Sequence, residues 1–139
     1  METNDSLRPD GVFGGFDDLC GLKMRLLENG HCILECNVDD KLLNCHGTAH
    51  GGLLFTIMDL AGGCAASQTE DMTIPTIVTQ NASTTFLRPA RPGLITAEAE
   101  IVRRGRRVIV VQICVYDAER KMLTKGDFTY YNFGDTAAK

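Results

Sequence analysis

Apolar side chains recur along this chain at two different periods, and the points where the period changes divide it into elements. Residues 1–10 are polar with one proline and read as a loose lead-in. Residues 21–28 and 31–38 flank Asn29-Gly30, a pair suited to the positive φ angles of a two-residue hairpin turn, so two antiparallel strands are predicted there. Residues 44–52 form a glycine-bearing loop. From Gly52 to about Ser67 the residues Leu53, Leu54, Ile57, Leu60, Ala61, Cys64 and Ala65 return at threes and fours, the spacing of a helix. They cover more than one stripe, which predicts a well-buried helix.

After Glu70-Asp71 the composition turns β-branched, and residues 74–87 predict a strand ended by Arg88-Pro89 and Arg91-Pro92-Gly93. Residues 94–102, 107–116 and 122–133 predict three further long strands, the last beyond a turn at 117–121. Two strands, one long helix and a run of strands, without internal repeats, imply an α+β class: an antiparallel sheet curled round one helix, as one domain over residues 1–139. One helix covers only one face of such a sheet. The other face or an edge is left for a second subunit, so a homo-oligomer is expected.

With 44% hydrophobic and 23% charged residues, the chain carries enough apolar surface for a core, which excludes disorder. A net charge of -4 and a pI near 5.3 argue against a general nucleic-acid binder. Arg103-Arg104-Gly105-Arg106-Arg107 is nevertheless a local positive spot suited to a small anion. The six cysteines lack close paired spacing and the first residues lack a signal-peptide pattern, which reads as reduced thiols in a cytoplasm. No apolar run approaches the roughly 20 residues of a membrane-spanning helix.

One residue breaks the helical pattern. Asp59 lies inside the apolar run 53–61, where a carboxylate costs several kcal/mol unless solvated, hydrogen-bonded or neutralised. Catalysis would account for it; a helix-face aspartate reaching solvent or an arginine is the plain alternative. Just upstream, Gly51 and Gly52 lack Cβ atoms and let a ligand approach the backbone, while the first amides of the helix have no carbonyl partner within it. Such a helix start can bind a carbonyl oxygen as it becomes an oxyanion. Asp59 is seven or eight residues further on, about 11 to 12 Å along the axis, too far for attack on the same carbonyl. The expected site therefore spans a two-fold interface, with the glycine amide from one chain and Asp59 from the other. His50 can donate a hydrogen bond to the ligand carbonyl or the loop, and Asn44 offers an amide to position a water; either is as readily a loop residue satisfying backbone groups.

Taken together, Asn44-Cys-His-Gly47-Thr-Ala-His50-Gly51-Gly52-Leu-Leu-Phe-Thr-Ile-Met-Asp59-Leu-Ala61 resembles the signature of the hot-dog-fold acyl-CoA thioesterases, specifically the phenylacetate-degradation (PaaI-like) group. Thr85-Phe86-Leu87-Arg88-Pro89-Ala90 and residues 102–107 resemble later stretches of the same family, so the likeness spans roughly residues 30–133. It implies a double hot-dog dimer, usually paired into a homotetramer, that hydrolyses acyl-CoA thioesters without metal or cofactor. Asp59 then matches the family's catalytic carboxylate, Gly51 the oxyanion amide, His50 its neighbouring histidine, Asn44 the water-orienting asparagine and Thr79 a hydroxyl near the carboxylate. Gly52 is expected at the ligand-approach surface. Arg88, Arg103 and Arg104 are expected at the coenzyme A phosphates, since guanidinium groups suit phosphate oxygens. A solvated basic strand end is the alternative for them.

The residues leave base and nucleophile roles for Asp59 equally open, and likewise an aromatic or a medium aliphatic acyl group. Rival functions are a hydratase on the same fold, whose loop-helix pattern is absent, and an acyl-CoA-binding or oligomerisation module without turnover. A metal site at His46, His50 and Asp59 is disfavoured because glycines make that stretch a loop. Cys45 and Cys64 lack an evident activating partner as nucleophiles.

Overall fold

Alternation along the strands sets the fold of the computed structural model, which describes residues 13–28, 30–67 and 77–134. The strands are β1 (Lys23–Glu28), β2 (His31–Val38), β3 (Ile77–Phe86), β4 (Gly93–Arg104), β5 (Val108–Asp117) and β6 (Met122–Asn132). Cys32, Leu34, Cys36 and Val38 of β2 are buried, as are Ile95, Ala97 and Ala99 of β4 and Ile109, Val111, Ile113 and Val115 of β5. This period of two puts one apolar face on each of these three strands.

All pairings are antiparallel, in the sheet order β1-β2-β4-β5-β6-β3. The predicted hairpin closes with Glu28 opposite His31 and Gly30 at φ 72°. Asn29 itself lies outside the described residues, as do the lead-in at 1–10 and the first part of the strand predicted from residue 74. β3 does not join β4, the strand that follows it. It pairs with β6, Thr85 opposite Lys125, and so forms one edge of the sheet.

The long helix α2 runs Gly51–Ser67, starting one residue earlier than the pattern suggested. Leu53, Leu54, Ile57, Met58, Ala61 and Ala65 face the sheet, and Ala97 and Ala99 beneath them let the helix settle closely. Each fully buried Leu or Ile contributes roughly 1.5–3 kcal/mol. At its far end Arg104 Nη1 and Nη2 donate to the carbonyls of Ala66 (2.9 Å) and Ala65 (3.3 Å), meeting the negative end of the helix dipole. A five-residue helix, α1 (Gly15–Leu19), precedes β1 and packs near α2; hydrophobic periodicity had no purchase on so short an element.

Candidate functional site

Asp59 occupies the third turn of α2 and is half-buried, so the core position suggested by its apolar neighbours is not where it sits. The neighbours at 53, 54, 57, 58 and 61 turn to the sheet, while residue 59 falls on the helix flank beside β3. Thr79 Oγ1 donates to Asp59 Oδ1 at 2.6 Å. That bond engages one carboxylate oxygen, and Asp59 lines a cleft of about 450 Å³. Phe16, Phe55, Leu60, Ile77 and Tyr130 supply most of the apolar lining.

Beneath the same turn Tyr130 Oη donates to the backbone carbonyl of Asp59 at 2.9 Å. The ring reaches it because residue 62 is glycine: a Cβ there would overlap Tyr130 Oη and crowd Ile113 Cδ1. Burial, reinforced by the nearby Asp59 carboxylate, pushes the Tyr130 phenol far above its ordinary range, so it stays a proton donor. Sequence reading missed this residue. Its signal was the glycine pair inside an otherwise regular helix, which marks a close approach.

The start of α2 is pinned from two sides, by Ala49 N–H to Ala90 O (2.7 Å) and His50 N–H to Leu42 O (2.9 Å). Asn44 organises the preceding loop: its Oδ1 accepts from the amides of His46 (2.9 Å) and Thr48 (3.2 Å), and its Nδ2 donates to Thr48 Oγ1 (3.0 Å). Within this chain Asn44 thus satisfies backbone groups. His50 Nδ1 accepts from the Gly52 amide at 2.8 Å, which caps the helix and assigns the ring proton to Nε2. The amides of Leu53 and Leu54 bond back to His50 O. Of these first amides, that of Gly51 has no acceptor among the described residues, whereas that of Gly52 is taken.

The chain therefore brings Asp59 to Thr79, and His50 to Gly51, but does not join the two pairs. Eight residues separate Gly51 from Asp59, about 12 Å of helix axis, and Gly51 does not line the Asp59 cleft. The three arginines part as well. Arg104 holds the end of α2, Arg88 Nη1 donates to Met122 O at 2.7 Å, and Arg103 is exposed. Arg88 lines a second cleft, of about 460 Å³, with Arg91 and Lys121, two cations that sequence reading passed over, and with the acids Asp117 and Glu119. Among the described residues, no group of three or more His, Cys, Asp or Glu converges as a metal cage, so His46 and His50 do not gather with Asp59. Cys64 is buried and Cys45 exposed. No described helix is long and apolar enough to cross a membrane.

The family model described as Thioesterase superfamily matches residues 46–124. The fold is similar to that of conserved protein PA5202 from Pseudomonas aeruginosa: 27% identity, TM-score 0.82, covering 87% of this chain and 95% of the other. It is also similar to the PaaI protein from the phenylacetic acid degradation operon of E. coli, at 23% identity and TM-score 0.80 over 87% and 86% of the two chains. The protein smu.793 from Streptococcus mutans, solved bound to acetyl CoA, is 31% identical with TM-score 0.71, over 78% of this chain and 86% of that one.

Proposed function

The chain belongs to the thioesterase superfamily, and on that premise we propose that it is a PaaI-like member that hydrolyses acyl-CoA thioesters with Asp59 as the reacting carboxylate. The observation that carries this is the short bond from Thr79 to Asp59 at the wall of an apolar cleft. Thr79 fixes one carboxylate oxygen and leaves the other toward the space where an acyl group fits. As a general base, that oxygen takes a proton from water while the water oxygen bonds to the thioester carbon. The C–S bond then breaks, and the thiolate of coenzyme A departs with the electron pair. As a nucleophile, the same oxygen bonds to the carbon directly, the C–S bond breaks to release the same thiolate, and water cleaves the resulting anhydride.

The oxyanion is held by the Gly51 amide of a second protomer, since about 12 Å of helix keeps a chain's own Gly51 from its own Asp59. Support for that partner comes from β3, a ten-residue edge strand with Val78 and Phe86 half-exposed and its outer backbone groups open to pairing. A dimer is the minimal active unit, and a pair of dimers its expected assembly. His50 Nε2–H and the second hydrogen of Asn44 Nδ2 are the remaining donors at the loop, for the carbonyl and the water. Arg88, with Arg91 and Lys121, is the strongest candidate for the coenzyme A phosphates, and the acetyl CoA complex of the S. mutans protein supports a coenzyme A thioester as substrate. Arg103 remains available to an anion, whereas Arg104 is committed to the helix. A cytoplasmic location fits six free thiols.

The test is Asp59→Asn, followed by thiol release from a panel of acyl-CoA thioesters and by ligand affinity. Loss of hydrolysis with retained binding is expected. Undiminished hydrolysis overturns the role of Asp59, and a wild-type protein that binds without turnover points to a binding module.

A further inference from the structure

Gly62 and Gly63 are adjacent in α2 and face different surroundings. A Cβ on Gly62 would strike Tyr130 and Ile113, whereas one on Gly63 would meet only Tyr130 Cε1, at an ordinary 3.6 Å. Gly63 lines the Asp59 cleft, one helical turn beyond the carboxylate, and Ser67 lines it one turn further still. Ser67 Oγ donates back to the Gly63 carbonyl, so its polarity is spent within the helix. Phe16 of α1, 62% exposed, and Ile77 of β3 line the same cleft.

We propose that the acyl chain lies along α2 from Asp59 over Gly63 toward Ser67, that Gly63 sets the acyl bulk the site admits, and that the acyl class is neutral and apolar. The inference rests on the hydrolase reading above and goes beyond it. From residue 59 to residue 67 the helix advances about 12 Å, which gives the cleft length beyond what an acetyl group fills. Lacking a side chain at 63, the helix surface is low there, and a leucine at that position would rise into the path of the chain. The apolar walls favour hydrocarbon. Two carboxylates, Asp17 and Asp59, face the same space and disfavour an acyl group carrying its own distal carboxylate.

The test compares kcat/KM for acetyl-, octanoyl- and adipoyl-CoA in the wild type, Gly63→Ala and Gly63→Leu, with melting temperatures recorded for each. The wild type should favour octanoyl over adipoyl. The ratio of octanoyl to acetyl should fall stepwise, by tenfold or more in Gly63→Leu, while Gly63→Ala, which meets no clash, remains folded. A ratio unchanged in both variants, equal losses for all three substrates, or a wild type that prefers adipoyl-CoA overturns the inference and leaves the hydrolase reading standing. A wild type inert toward every thioester overturns both.

Discussion

Thr79 and Asp59, twenty residues apart in the chain, meet through a hydrogen bond of 2.6 Å that ties the edge strand β3 to the central helix. A hydrogen bond to a charged group is worth about 1.5–3 kcal/mol. Thr79→Val keeps the shape and deletes the donor, so kcat for thioester hydrolysis should fall about 10- to 100-fold. Thr79→Ser should restore most of it. A valine variant with wild-type kcat would show that the hydroxyl only decorates the strand.

The two helix glycines should respond with opposite signs to the same mutation. Gly62→Ala drives a methyl group into Tyr130 and Ile113, with an overpacking cost of about 1–3 kcal/mol and a lower melting temperature. Gly63→Ala finds room and should gain roughly 0.5–1 kcal/mol from the better helix former. Thermal melts of the two variants decide this directly, and equal shifts would contradict the geometry at Tyr130.

That pair also shows where the sequence is legible and where it stops. Helical spacing, alternation in the later strands, the Asn29-Gly30 turn and β-branched composition at 74–87 located the helix and the long strands, because those signals are written into consecutive residues. The pairing of β3 with β6 was not readable, since Thr85 and Lys125 stand forty residues apart and no local rule links them. At the site, Asp59 was conspicuous as a carboxylate among apolar residues, and the glycines by the helix start as an amide donor. Tyr130 was hidden: it alternates with Phe128 as a core residue would, and only the fold carries its hydroxyl under residue 59. The bond from the Gly52 amide to His50 Nδ1 was hidden too, because a ring orientation is set by packing.

His50 carries two duties that mutations can separate. Nδ1 caps the helix, and the proton on Nε2 is free to donate. His50→Ala should lose both, with a stability loss near 1 kcal/mol and a drop in kcat. His50→Asp supplies a capping oxygen at a helix start, so its melting temperature should hold while kcat still falls. Activity that merely tracks melting temperature across both variants would reduce His50 to a cap.

Alkali should unfold this protein through its buried thiols and phenol. Burial pushes the Cys36 thiol up to about 11 from an ordinary 9.0, with the nearby Cys20 and Asp39 adding to the rise, and Cys36 Sγ donates to Cys20 O at 3.3 Å. The Cys32 thiol, hydrogen-bonded to the Cys64 thiol and buried, and the buried Tyr130 phenol shift in the same direction. Between pH 9 and 11 the unfolded chain loses these protons while the folded chain keeps them. With fewer protons on the unfolded state, stability falls as pH rises; it is intact below pH 9. Denaturant midpoints measured from pH 8 to 11 should decline, and Cys36→Ala should flatten the slope. A midpoint that stays level across that range would contradict the shifts.

Two inactive variants should revive each other if the site is shared between protomers. Gly51 opens α2, a position where proline is tolerated, so Gly51→Pro removes the candidate oxyanion N–H with little harm to the helix. The second variant, Asp59→Asn, removes the proposed reacting carboxylate and leaves Gly51 intact. Each homodimer then has two defective sites. A mixed dimer has one site with both defects and one with neither, because the intact glycine of one protomer faces the intact aspartate of the other. Random exchange makes half the dimers mixed, each with one good site of two, so about a quarter of wild-type activity should return. Co-refolding the variants and assaying thiol release checks this. If mixing restores nothing while sedimentation shows that mixed dimers have formed, the carboxylate and the amide act from one chain, and the helix length between them would have to be reconciled with a site that one protomer completes alone.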